Sequence, residues 1–158
     1  EGLQMTLTVN SAFPQYETAA VLIQDSLRQI GIDVKVTRLQ AADFVGKWFG
    51  KQLNFFIHDG VAWIDDPSYI TGLWLETGAF SNYTLFSDPR VDEIQETWHW
   101  EADSPQRRAA YARAQDIYNL EVSTAYLVLN NFILVTGDDV EGYVLYKDTN
   151  TRYQDLRR

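Results

Sequence analysis

Cysteine is absent from the 158-residue chain. Its absence removes disulfide staples, thiolate nucleophiles and sulfur-ligated zinc together, and it fits any compartment, including an oxidising one where stray thiols are a liability. Cationic side chains are scarce as well: 13 Lys and Arg stand against 22 Asp and Glu, for a formal charge of −9. A phosphate backbone is held by clustered cations that displace its counterions, so nucleic acid is not an expected partner. An anionic membrane surface would repel the chain. The one basic cluster is the terminal Arg157-Arg158. With two histidines, and neither H-x-x-x-H nor EF-hand spacing, no metal site or cofactor is expected. No apolar run approaches the roughly 20 residues that span a bilayer. A signal-peptide pattern is missing too. Glu1-Gly2-Leu3 leads almost directly into a strand-like run, as expected of a piece cut from something longer.

What the chain does have is an ordinary globular composition, 46% hydrophobic and 22% charged, in a length suited to one domain. Aromatic residues make up 14%, and many fall in turn-like stretches where a core would not need them. Met5 to Val9 alternates with period two and predicts a strand. Ala19, Ala20, Ile23, Leu27 and Ile30 have helical spacing, and Gly31 is placed to end that helix in the left-handed conformation. Ile32, Val34 and Val36 alternate with polar residues as a second strand. A short helix over Ala41 to Gly50 and a third strand over Leu53 to Ile57 follow. Asp66-Pro67, Asp88-Pro89 and Ser104-Pro105 each pair a capping side chain with a proline in the first turn, and predict three more helices. The last of these carries an inward stripe of Tyr111, Ala114, Tyr118 and Val122. Ala125 to Val135 is β-rich, interrupted by Asn130-Asn131, and predicts a final strand. The order β-α-β-α-β-α-α-α-β argues an α/β layer built from crossovers.

Three stretches in register carry a resemblance. They are A-A-V-L-I-Q-D-S-L-R-Q-I-G-I-D-V-K-V, then W-I-D-D-P-S-Y with F-S-N-Y-T-L-F-S-D-P-R-V-D-E, then A-D-S-P-Q-R-R-A-A-Y-A-R-A-Q-D-I-Y. Together they resemble the C-terminal lobe of family 5 solute-binding proteins, the extracytoplasmic receptors of ABC importers for peptides, nickel chelates, opines and some oligosaccharides. The resemblance implies a lobe of the type II periplasmic-binding-protein fold, with a mixed sheet flanked by helices. It implies that residues 1–158 form a single ligand-binding lobe, a fragment of a two-lobe protein whose N-terminal lobe is missing. The expected function is non-catalytic: a polar solute is trapped by closure of two lobes and handed to ABC permease subunits. The expected setting is periplasmic, or extracytoplasmic and membrane-anchored.

The densest chemistry lies in His58 to Trp74. Asp65 and Asp66 are sequence neighbours whose side chains tend to point apart, whereas paired-carboxylate hydrolysis needs groups facing across a substrate at about 5–9.5 Å. Asp66 is explained as a helix cap. Trp63 follows the strand-like Leu53–Ile57 run, at the end of a strand where open α/β sheets bind ligands. An indole there would bury about 200 Å² of ring, for at most about 5 kcal/mol. His58, Asp59 and Asp65 add polar groups beside it, and Asn82 with Tyr83 forms a loop that the family likeness places near the cleft. In peptide-binding members the residue three before the Asp-Pro pair is typically an aspartate that holds the ligand's amino terminus. Trp63 stands there in this chain. The swap disfavours a ligand whose amine docks there and suits an oligosaccharide, an opine-like conjugate or another polar solute, with an oligopeptide anchored by Asp59 or Asp65 as the runner-up. Alternatives from other classes are a free-standing hydrolase using Asp65 or Asp59, and a protein-interaction domain working through its aromatic loops. Trp74 is expected in the core. Trp48 and Phe49 have no reading beyond packing, and the isolated lobe, with apolar area uncovered, is expected to self-associate.

Overall fold

The computed structural model describes residues 2–60, 63–121, 123–129, 133–144, 146 and 152–157. The chain separates into two units, residues 1–60 with 83–85, and residues 61–82 with 86–158.

The first unit is a parallel pair of strands with helical connections. Strand β1 (Leu3–Asn10) and strand β2 (Ile32–Leu39) pair in parallel from Leu3 opposite Ile32 to Asn10 opposite Leu39. Parallel neighbours need a crossover, supplied by helix α1 (Pro14–Arg28), with proline in its first turn. Gly31 takes a φ of 83° directly before β2, the conformation expected of a glycine that ends the helix. The predicted stripe packs as expected. Tyr16 and Ala20 are buried with Leu7, Val9, Val34 and Ile57, while Ala19, Ile23 and Leu27 close over them. Ile30 departs from the prediction and is exposed. Helix α2 (Ala41–Phe49) follows β2 and buries Phe44, whose ring meets Phe56 edge-on at 6.3 Å.

The expected third strand contracts to a single parallel bridge between Thr8 and Phe56. It is held by Thr8 N–H to the Phe55 carbonyl at 2.9 Å and Ile57 N–H to the Thr8 carbonyl at 3.3 Å. The paired strands of the described residues are all parallel.

The second unit is helical. Helix α3 (Pro67–Ile70) widens into a π-helical turn over Thr71–Leu75, closed by the Glu76 N–H on the Thr71 carbonyl. Helices α4 (Pro89–Trp98) and α5 (Pro105–Glu121) pack on that turn. The three predicted helix entries form as read. Asp66 accepts from Ser68 N–H and Asp88 from Arg90 N–H, both at 2.8 Å, and Ser104 Oγ accepts from Arg107 N–H at 3.1 Å. The core comprises Leu75, Phe86, Val91, Ile94, Tyr111, Ala114, Ile117 and Tyr118, with Trp74 packed against it. Val122, the last residue of the expected stripe, lies outside the described residues.

The final predicted strand is corrected. Residues 125–129 and 133–135 belong to no strand, and Asn130-Asn131 lie outside the described residues. The side chains of 125–129 and 133–135 are exposed, up to 98% at Leu129. A β-rich composition favours a pleated, half-buried surface only when another edge offers a ladder; among the described residues none does.

Candidate ligand-binding site

His58, Asp59 and Tyr83 fall in the first unit, His58 and Tyr83 packed against Trp48. Helix α2 ends on Trp48-Phe49, and the residues after the Phe56 bridge carry His58 back against the indole. The Trp48 ring centroid lies 4.0 Å from that of His58, at an interplanar angle of 48°, and 3.9 Å from that of Tyr83 at 39°. Phe49 adds a ring 5.3 Å from Trp48 and an edge contact to Tyr83 at 6.0 Å. Trp48 and Phe49, which had no reading beyond packing, are therefore the platform on which two candidate residues rest. Sequence spacing carried no sign of this, because the contacts join positions far apart in the chain.

Tyr83 is only 7% exposed, so most of its ring serves packing. Asp59 is open to solvent, and its Oδ1 lies 3.8 Å from His58 Nδ1. Burial pulls the His58 imidazole below its ordinary pKa, an effect Asp59 opposes only in part. A neutral imidazole makes no ion pair, so near neutral pH His58 leaves the Asp59 carboxylate unpaired with it. Burial also raises the Tyr16 hydroxyl, and Asp59 beside it adds to the rise. Tyr16 therefore stays a protonated phenol.

Trp63, Asp65 and Asn82 belong to the second unit. Trp63 is 65% exposed and followed by an exposed Ile64, so the indole is not sealed in a core. Asp65 is exposed. Its neighbour Asp66 is fully engaged: besides capping α3 it receives Arg107 through two bonds, Nη2 to Oδ1 at 2.7 Å and Nη1 to Oδ2 at 3.1 Å. The Arg107 bonds, aided by the Ser68 cap, hold the Asp66 carboxyl down to about 2.

Arg107 was missed by sequence reasoning. Its side chain is 4% exposed, its Nε donates to the Trp98 carbonyl at 2.9 Å, and its guanidinium lies 5.0 Å from the Tyr111 ring. The available signal was position: Arg107 precedes Tyr111 by one helical turn, on the inward stripe, where a cation must have a partner.

Asn82 is held as a loop staple. It is 1% exposed. Its amide nitrogen donates to the carbonyls of Phe86 at 2.7 Å and Glu76 at 3.1 Å, and its oxygen accepts from Phe86 N–H at 3.0 Å. Those bonds engage the amide within its own loop. Among the described residues, no three His, Asp or Glu side chains gather where a metal could sit.

The family model described as bacterial extracellular solute-binding proteins, family 5 Middle, matches residues 1–82. A curated relative, the "Probable D,D-dipeptide-binding periplasmic protein DdpA" of Escherichia coli K12, is 27% identical over 146 residues, covering 89% of this chain and 28% of that protein. Among solved structures, the pheromone receptor PrgZ superposes with a TM-score of 0.74 at 17% identity, over 98% of this chain and 30% of PrgZ. DppA from Helicobacter pylori, in complex with the peptide STSA, superposes with a TM-score of 0.67 at 23% identity, over 77% of this chain and 24% of DppA. The structural likenesses establish the fold, an α/β periplasmic-binding-protein architecture, and the chain spans little more than a quarter of its curated relative's length. With more than half of its residues under the family model, the chain belongs to the family 5 bacterial extracellular solute-binding proteins.

Proposed function

We propose that this chain is one ligand-binding lobe of a larger two-lobe receptor that captures a peptide-like solute outside the cytoplasm and delivers it to an ABC permease. The family match over residues 1–82 carries this reading. A relative named for D,D-dipeptide binding and a neighbour solved with the peptide STSA favour peptides over sugars. Capture is by surface contact, with no covalent step.

Trp63 is the contact most able to contribute, because an exposed indole gains by being covered. A peptide's ammonium needs a carboxylate, since a buried cation without one is costly. Asp65, exposed and in the same unit as Trp63, fills that role in place of the aspartate typical of peptide-binding relatives at the Trp63 position. Asp59 is an exposed carboxylate of the first unit that offers the same chemistry. His58 and the Trp48–Tyr83 cluster give Asp59 a rigid backing.

One lobe offers only part of the contacts and none of the closure, so the isolated chain should bind weakly. Calorimetry on the 158-residue chain should show no dipeptide or tripeptide binding at micromolar or tighter levels, while the full receptor retains a peptide that native mass spectrometry can identify. Micromolar binding by the chain alone would contradict the two-lobe mechanism. Turnover of a substrate that vanished in Asp65→Asn would instead favour a hydrolase.

A further inference from the structure

The π-helical turn over Thr71–Leu75 has a visible cause in the second unit. Gln95 of α4 is 4% exposed, and its amide presses against Gly72 so closely that a Cβ there would lie 2.4 Å from Nε2. A side chain pushed against a helical ladder is one of the few causes of local widening. The Gln95 amide makes three contacts. Nε2 donates to the Ser68 carbonyl at 3.2 Å and lies 2.9 Å from His99 Nδ1, while Oε1 accepts from the Tyr111 hydroxyl at 3.1 Å.

The donor count fixes the rest. A backbone carbonyl only accepts, so the Gln95 nitrogen must face Ser68. The same nitrogen faces His99 Nδ1, which must then accept, placing the imidazole proton on Nε2. Protonated histidine carries hydrogen on both nitrogens. It would set two donors face to face, and flipping the amide would turn its oxygen onto the Ser68 oxygen. Neither orientation satisfies all partners.

We infer that Gln95 and His99 form an acid-sensitive latch on the Ser68–Leu75 segment, closed when His99 is neutral and loosened when it takes a proton. Several groups face this knot. Tyr111 approaches from α5, and Arg107 lies over the Tyr111 ring with Asp66, at the head of α3, as its counter-ion. The Trp100 and His99 ring centroids lie 4.1 Å apart, with the rings perpendicular. Glu76 also faces the knot, since a Cβ at Gly72 would lie 3.6 Å from Glu76 Oε2, while the Asp66 carboxylate is taken up by Arg107. The latch does not depend on the solute reading.

The test begins with the wild-type chain at about pH 7.5, where nitrogen-15 shifts should report the Nε2–H tautomer of His99. An Nδ1–H tautomer overturns the latch outright. Hydrogen exchange, corrected for intrinsic pH effects, should then show protection of the amides over 68–76 falling roughly fivefold, one neutral hydrogen bond's worth, between about pH 7.5 and pH 5. In His99→Asn, which keeps an acceptor but cannot titrate, that fall should disappear. An unchanged wild-type profile, or the same fall in His99→Asn, contradicts the inference. The tautomer and the wild-type profile decide the matter even if the variant fails to fold.

Discussion

Asp66 shows how much one side chain can hold. It caps α3 and takes both terminal nitrogens of Arg107, and the pairing lowers its carboxyl to about 2. A carboxyl lowered on folding contributes stability that is present above its unfolded value and is lost as pH falls through the folded one. Asp66→Asn retains a cap and loses the ion pair. Because the Asp66 side chain is 38% exposed, water screens part of the effect, and about 1–2 kcal/mol of destabilisation is expected at pH 7. Urea denaturation curves of the two proteins should converge as pH falls through about 2. Asn82→Ala strands two carbonyls and an N–H that the buried amide now satisfies, and should cost about 2–3 kcal/mol in the same assay. A loss below about 0.5 kcal/mol, the level of an ordinary surface substitution, would show that Asn82 is not the staple. The sequence showed Asp66 as a cap because capping is local, a side chain and an N–H two residues apart. It hid Arg107 as the partner, and hid Asn82's commitment to its loop, because those bonds depend on how later segments fold back.

Gly72 and Gln95 tie the helical elements together. Gly72→Ala forces a methyl into the space of a buried amide held by Ser68 and Tyr111, at about 2 kcal/mol. Combined with Gln95→Ala, the loss should fall short of the sum of the two single losses by about 1 kcal/mol or more, as expected of residues in direct contact. Full additivity would dissociate the glycine from the glutamine. At this scale the helices were legible, with their prolines and capping residues, because apolar spacing and caps are properties of short windows. The sheet was legible only where two complete strands met. Leu53–Ile57 has the composition of a strand yet supplies one bridge, and 125–135 has it yet supplies no paired residue among those described. Composition describes the face a strand would bury, while a ladder requires a neighbour that composition does not name. The π-helical turn was illegible for the same reason, since its cause sits on another helix.

At the scale of the whole molecule, Tyr126, Leu127, Val128 and Leu129, and then Ile133, Leu134 and Val135, are apolar residues exposed to solvent. Exposed apolar surface of this kind favours association with other chains. Sedimentation of the 158-residue chain should show concentration-dependent association, reduced by Val128→Lys with Ile133→Lys. A strictly monomeric wild type would contradict that expectation. The family itself was legible in three sequence stretches, whereas the solute was not, because Trp63 reports an aromatic surface without naming what covers it. The most direct measurement is native mass spectrometry of small molecules retained by the full receptor, with and without Trp63→Ala. Capture by contact predicts a peptide-mass adduct on the wild type that is lost or sharply reduced in the variant. Equal retention by both, or release of a cleaved product, would contradict it.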